Sequence, residues 1–472
     1  MTTLAGPHDD GVRSELAEFT TACFRRDLRM LMALTTLGAV LTVVDGGPIA
    51  LLLFMTSIGV ALISPHASVA AIAVATPFIY HPVQLRGGQW SLLELTILIS
   101  AVSVGGHLAL HILRTRSAWT TLALARPFST LAASVLLVLV GAVSLLTVAD
   151  GRYLSDSVRE FRWVIVEPVI AFLLFRWAFR EQRTRLLILA GFVGTAMLLA
   201  VIGIIQLLTQ TGVVVADGVE RATGPYRHPN NLALYLDRAA IFVLALAVTS
   251  KQHRRLFAIC AAVCGFGLAA TLSRGAAIAY VAGACWIVGV ARIRRGWWWI
   301  GLGVALGAVV IGLIGADRLT DTGSAGSRSS RELIWSASVD MISDHPITGI
   351  GLDQFVTQYG RRYVDPAGWA ERYTSHPHNL VLDVWLRLGI TGLFVFAGIA
   401  AAVISVARRP VSPGRERSIW IGATAALIAG LVHGMLDNGF FLPDLAVLTW
   451  MLIALIESTH QQSVDMSCEA NG

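Results

Sequence analysis

The chain alternates long apolar runs with short hydrophilic hinges from Met30 to Ile456. The runs are too long and too uniformly apolar to be one face of a soluble helix, so they read as segments that cross a bilayer. Inside lipid they must be helices, because a helix satisfies its own backbone donors and acceptors. About fourteen spans are expected, at roughly 30–44, 48–64, 67–80, 91–113, 128–149, 163–179, 186–208, 232–250, 256–272, 275–291, 297–316, 379–407, 419–436 and 445–457. The short runs at 48–64 and 67–80 also read as one re-entrant unit, which would leave about twelve. The fold class is therefore an all-α polytopic membrane protein.

Composition agrees with the pattern. Of 472 residues, 55% are hydrophobic and 14% charged, against about 25% charged in a soluble protein. Mean hydropathy is +0.67. A net charge of +6 would suggest nucleic acid only if the basic residues shared one surface. Here they cluster in hinges: 24-FRRDLR-29, 114-RTRSAWTTLALAR-126, 180-REQRTR-185, 251-KQHRR-255, 292-RIRR-295 and 408-RRPVSPGRER-417. These fall on every second connection from 114 onward, so one orientation puts them all in the cytoplasm together with both termini. Nucleic acid is excluded as a partner on this reading, and membrane lipid is implied. No cleavable signal peptide is evident, and no P-loop marks ATP-driven transport. The five cysteines, Cys23, Cys260, Cys264, Cys285 and Cys468, form no paired or metal-ligating pattern and read as small packing residues.

The expected organisation is a cytoplasmic segment at 1–29, a helical core at 30–316, a large outer segment at 317–378, C-terminal spans at 379–457 and a cytoplasmic tail at 458–472. The outer segment carries six arginines and eight acids, so it is not basic overall.

Candidate chemistry collects on the outer face. In 221-RATGPYRHPN-230, turn residues present Arg221 before the chain re-enters lipid; a snorkelling arginine is the alternative. In 273-SRG-275, Arg274 sits between two apolar helices and breaks the charge rule, since the expected order of spans puts it on the outer face. Such a residue faces a protein cavity or snorkels to the interface. In 328-RSSRELIWSASVDMISDHPITGIGLDQF-355, Ser329 and Glu332 read as a capping box with Arg331 in the first turn. Leu333, Ile334, Ala337, Met341 and Ile342 make an apolar stripe, so this helix lies on the membrane surface or caps a cavity. The fourth stretch, 375-SHPHNLVLDVWLRLGITGL-393, brings His376, His378 and Asn379 to the mouth of a span. Interfacial structural histidines are the plainer reading; His-Pro-His as a metal site lacks a further ligand at suitable spacing, so no metal is expected. Arginine's planar fork suits phosphate, and a histidine takes a proton near neutral pH. Together they suit displacement of a diphosphate leaving group.

These motifs resemble the bacterial O-antigen ligase and O-antigen polymerase (Wzy-type) superfamily, whose members have a GT-C-like membrane fold. The strongest piece is a histidine, then Asn, Ser or Gln, nine residues, glycine, two residues and glycine, met here by His378, Asn379, Gly389 and Gly392. The Arg221 loop, the Ser-Arg-Gly corner, the Arg331…His345-Pro346…Gly349…Gly351 block and 433-HGMLDNGFFLP-443 also match in order. The resemblance covers about 160 to 457. It implies transfer of a glycan from undecaprenyl pyrophosphate to an acceptor hydroxyl, on a glycan or lipid, at the outer face of the bacterial inner membrane. It implies inversion and needs no cofactor, metal or nucleotide sugar. On this resemblance His378 is the general base, and Arg221, Arg274 and Arg331 hold the pyrophosphate. His376 orients the loop, while Tyr226, Asn230, Arg328 and Asn379 are second-rank candidates. His433 and Asp437, four residues apart, read as sharing a helix face, either as a structural pair or as support for the site. Glu94, Glu167 and Asp237-Arg238 fall within apolar runs as buried pairs or parts of a lipid groove.

Polymerase and ligase share these motifs. Polymerase is the expected one, since nothing points to a particular terminal acceptor, and a chain-length regulator is then a candidate partner. A protein O-oligosaccharyltransferase is a third version of the same chemistry. The rival class, a transporter or flippase of lipid-linked sugars or anions, predicts two related halves with charges at mid-bilayer, and no repeat is found.

Overall fold

The computed structural model describes residues 7–42, 47–80, 82–85, 88–115, 128–148, 153–216, 219–291 and 330–471. The expected span at 297–316, Arg328, Ser329 of the capping box and most of the hinges at 114–126 and 292–295 lie outside the described residues. Every other expected span falls on a helix. Among the described residues, six helices are long and apolar enough to cross a bilayer: Leu92–Thr115, Ser129–Thr147, Gln182–Thr209, Pro229–Thr249, Arg274–Ala291 and Leu380–Ala407. The chain is an all-α polytopic membrane protein.

The chain forms two compact units. The first comprises 1–121 and 177–192. Its elements are α1 (Pro7–Leu41), α2 (Gly47–Ile63), α3 (Pro65–Ala75), β1 (Pro82–Leu85), β2 (Gly88–Ser91) and α4 (Leu92–Thr115). Only Ser64 separates α2 from α3. It caps α3 by accepting from Ala67 N, and its hydroxyl donates to Asp27 at 2.8 Å. With 11 residues, α3 rises about 16 Å, short of the roughly 30 Å hydrocarbon core. The run at 67–80 is therefore not a full span, which favours the re-entrant reading. Strands β1 and β2 pair antiparallel with Val83 opposite Trp90. Ser91 and Glu94 then exchange hydrogen bonds with each other's backbone N–H at the start of α4. Glu94 thus serves as a helix cap.

The second unit comprises 122–176 and 193–472. It holds α5 (Phe128–Ser144), α6 (Leu154–Glu160) and a π-helical turn (Phe161–Val166). Two helices, α7 (Glu167–Ala178) and α8 (Gln182–Thr209), contribute to both units. A hairpin follows, β3 (Val213–Ala216) and β4 (Val219–Ala222), with Val214 opposite Arg221. Sequence reading expects only a turn here. Yet Asp217-Gly218 between two four-residue β-prone runs is a hairpin signal. Then come α9 (Pro229–Thr249), α10 (Arg254–Ala270) and α11 (Arg274–Ala291). The most apolar window of α9 is 89% buried, and α10, α11 and α15 (Arg415–Gly434) pack around it.

The expected outer segment, from residue 330 on, is folded against the helix Leu380–Ala407. Its helix α12 (Ser330–Asp344) buries Leu333, Ile334, Ala337, Met341 and Ile342, the stripe read from the sequence. The stripe packs on Ile350, Phe355, Tyr359 and Leu386, so α12 does not lie apolar face down on lipid. A short helix α13 (Phe355–Gln358) and a 3-10 turn (Pro366–Glu371) lead to α14 (Leu380–Ala407). Within α14, Gly389 adopts φ +68°, ψ −170° and breaks the helix. The outer segment fills the break: Ile350 N donates to Leu386 O at 2.6 Å, and Ile390 N donates to Ile347 O at 3.2 Å. A side chain at Gly389 would run into the carbonyl of Ile347, so only glycine fits. The last helix, α16 (Pro443–Asn471), completes the unit.

Candidate functional site

Pro377 fixes the backbone between two histidines and leaves His378 in the left-handed region, φ +53°. That conformation is costly for a residue with a Cβ and persists only where neighbours hold it. Asn379 supplies one anchor. It caps α14, accepting from Val381 N at 3.0 Å and Leu382 N at 3.2 Å, and its amide donates to Met435 O at 3.2 Å. Trp335 supplies another, donating from Nε1 to Pro377 O at 2.9 Å.

Both histidines converge on Asp437. His376 Nε2 lies 3.1 Å and His378 Nδ1 3.2 Å from the same oxygen, Oδ1. Asn438 N also donates to that oxygen at 2.8 Å. The two rings lie 4.3 Å apart between centroids. Asp437 Oδ2 accepts from Asn230 Nδ2 at 2.6 Å, and Asn230 Oδ1 accepts from Arg221 Nη2 at 2.6 Å. Arg221 Nε donates onward to Thr271 O at 2.7 Å, at the end of α10. One hydrogen-bonded chain therefore runs from the His-Pro-His loop through Asp437 and Asn230 to Arg221 and Thr271, two residues before Ser273.

Local chemistry explains the placements. His228 caps α9, accepting from Asn230 N at 3.2 Å, and Pro229 opens the helix. This sets Asn230 in the first turn, its side chain free to bridge. Asp437 lies in the turn after α15, which ends at Gly434. It is 4% exposed. Burial alone would raise its carboxyl, but the hydrogen bonds and electrostatic pull of His376 and His378 hold it well below the usual range.

The remaining candidates separate. Arg274 and Arg331 are exposed, each at the first turn of its helix, α11 and α12. Arg331 lies one helical turn before Trp335, on the side that reaches the histidine loop. Arg221 is buried and supports the chain of bonds from behind. Tyr226 donates to Asp444 at 2.9 Å. His433 and Asp437 do not share a helix face, because the helix ends between them. His433 Nδ1 instead meets Asp237 Oδ2 at 2.6 Å, and Arg238 donates to Gly439 O at 3.0 Å. These buried groups brace the turn that carries Asp437. Glu167 pairs with Arg162 at 3.4 Å.

Sequence reading finds no further ligand beside His-Pro-His. The fold supplies one: ligand atoms of His376, His378 and Asp437 lie within 4.8 Å of one another, a set able to hold a divalent cation. The same three groups already satisfy one another by hydrogen bonds. Trp335 and Thr271, which tie two segments to the site, escaped the sequence reading. Their signals are slight, a tryptophan four residues after Arg331 and a carbonyl that any residue would offer.

Residues 256–397 match the family model described as O-antigen ligase. This range contains Arg274, Arg331, His376, His378 and Asn379; Arg221, Asn230 and Asp437 fall outside it. An O-antigen ligase of Salmonella typhimurium is 25% identical over 196 residues, 38% of this chain and 46% of the relative. An O-antigen ligase of Pseudomonas aeruginosa is 27% identical over 202 residues, 41% of this chain and 45% of the relative. The matched region thus spans less than half the length of either relative. In its stretch 256–397, this chain is similar to the O-antigen ligase family.

Proposed function

We propose that the chain is a glycan ligase of the inner membrane, acting at its outer face with undecaprenyl-pyrophosphate-linked glycan as donor. The observation that carries the reading is the Asp437–His378 contact. The carboxylate takes Nδ1 and leaves Nε2 as the ring nitrogen for a substrate proton. In the proposed step, Nε2 accepts the proton of an acceptor hydroxyl. The oxygen attacks the anomeric carbon from the face opposite the pyrophosphate. The bond from that carbon to the phosphate oxygen breaks, and its electron pair leaves with the lipid pyrophosphate. The anomeric configuration inverts, and Asp437 offsets the charge that forms on the imidazole.

Arg274 and Arg331 are the exposed clamp for the leaving group, and Arg221 adds charge from behind Asn230. They stand at or beside the N-termini of α11, α12 and α9, where backbone N–H groups and the helix dipole favour anions. No step requires a metal, so the His–His–Asp set is assigned to proton transfer. Ligase is preferred over polymerase because both relatives carry that name.

The test is genetic. A strain lacking the protein is restored with wild type, or with His378→Ala at equal membrane level. Its surface glycan and lipid-linked pool are then resolved on a gel. Full-length chains stranded on lipid support the ligase; single repeat units on lipid indicate a polymerase. Normal surface glycan with His378→Ala removes the base from the mechanism and favours a transporter. In membranes, transfer should be unchanged by EDTA; loss restored by added zinc would reassign the three residues as metal ligands.

A further inference from the structure

A buried guanidinium lies beneath the histidine loop and takes no part in the step above. Arg387, on α14, is 4% exposed. Its Nε donates to Asp383 Oδ1 at 2.6 Å, one turn earlier, and its Nη1 donates to Glu160 Oε1 of α6. Its Nη2 reaches Ser375 O at 3.4 Å, a long contact, and its Cζ lies 4.8 Å from the ring centroid of Phe441. Ser375 directly precedes His376, and Phe441 belongs to the turn that carries Asp437. One planar side chain thus touches both segments that form the histidine–aspartate contact.

Such a cluster is a poor choice for stability alone. Taking one arginine and two carboxylates out of water costs more than apolar residues of the same volume would. The cluster is also asymmetric, for Glu160 Oε2 and Asp383 Oδ2 are buried without a hydrogen-bond partner. What the cluster does provide is geometry. The guanidinium plane fixes α6, α14, the loop at 375–378 and the turn at 435–442 relative to one another. Lysine has neither the fork nor the flat face for this.

We propose that Arg387 is a positioning residue for glycan transfer: it sets the spacing between the His376–His378 loop and the Asp437 turn, and so the aim of the base. The inference rests on the reading of His378 as base.

The test uses purified full-length protein in liposomes, with lipid-linked glycan extracted from the deletion strain as donor. Arg387→Ala should lower kcat at least tenfold while the donor KM stays within twofold, and Arg387→Lys should restore only a small part. In the Asp437→Asn background, Arg387→Ala should add less than a further twofold, because the spacing it sets has lost its purpose. A fully additive loss, a raised KM at normal kcat, or full activity with lysine would overturn the proposal. If Arg387→Ala does not accumulate, the same cycle and thresholds are read with Arg387→Lys, which keeps the charge beside Asp383. An active His378→Ala protein would sink the base reading and this inference with it. An inactive one with an additive cycle would sink this inference alone.

Discussion

At the residue scale the site depends on one side chain with two jobs. Asn230 accepts from Arg221 through Oδ1 and donates to Asp437 through Nδ2. Asn230→Ala leaves a buried guanidinium and a buried carboxylate each short of a partner, at roughly 1–3 kcal/mol apiece. The expected result is a ten- to hundredfold slower transfer. Asn230→Asp should be worse at neutral pH, since it sets a second carboxylate against Asp437. Transfer rates of the two variants, measured side by side, check the order; equal losses would mean that Asn230 acts through shape alone. The residues on the site's rim were legible in the sequence because arginine, histidine and proline are rare next to apolar runs. The role of Asp437 was not. Its spacing from His433 suggested one helix, and only the end of α15 at Gly434 frees it to meet histidines 59 and 61 residues away.

At the element scale the decisive feature is the break in α14. Hydropathy predicts one continuous span at 379–407, whereas two helical stretches meet there at a kink, with Gly389 in a non-helical conformation. The nine-residue spacing between Asn379 and Gly389 gains a physical meaning. It is the length of the outer half-helix, with the histidine loop at its start and the inserted residues 347–350 at its end. Gly389→Ala would need φ +68° for a residue with a Cβ and would collide with the Ile347 carbonyl. The expected outcome is loss of folded protein, read as a fall in membrane level and melting temperature. A Gly389→Ala protein of normal stability would show that the bend relaxes. Sequence reading marks the glycines at 349 and 351 within a matched block; both have positive φ, +66° and +95°, and turn the chain. It could not show that the turn is docked into a helix, because backbone hydrogen bonds leave no residue signature.

At the scale of the molecule, titration offers a probe of the whole second unit. Glu160 stands before the span at 163–179, and burial pushes its carboxyl up to about 7 against the pull of Arg387, with Asp353 and Asp383 adding to the rise. The folded state therefore holds this proton more tightly than the unfolded chain does. The stability it contributes is full below the unfolded pKa near 4.5 and is lost as pH rises to about 7. Thermal unfolding in detergent from pH 4.5 to 8 should show this decline, and Glu160→Gln should flatten it. An unchanged slope would mean that Glu160 is ionised throughout. The helical class and most spans were visible in the sequence because lipid allows few alternatives. The hairpin at 213–222 and the docking of α12 were not, since both follow from contacts between distant segments.

The stitched break in α14 bears on how such proteins can diversify. Amides and carbonyls freed at a kink in an apolar helix need partners, and here residues 347–350 provide them. The outer segment is thus no detachable cap on a generic pore of helices. A chimera cut between 350 and 380 would pair a foreign loop with a helix whose gap it does not fit. Exchanges that carry 330–407 together keep lock and key in one piece, and should fold where a cut between 350 and 380 does not.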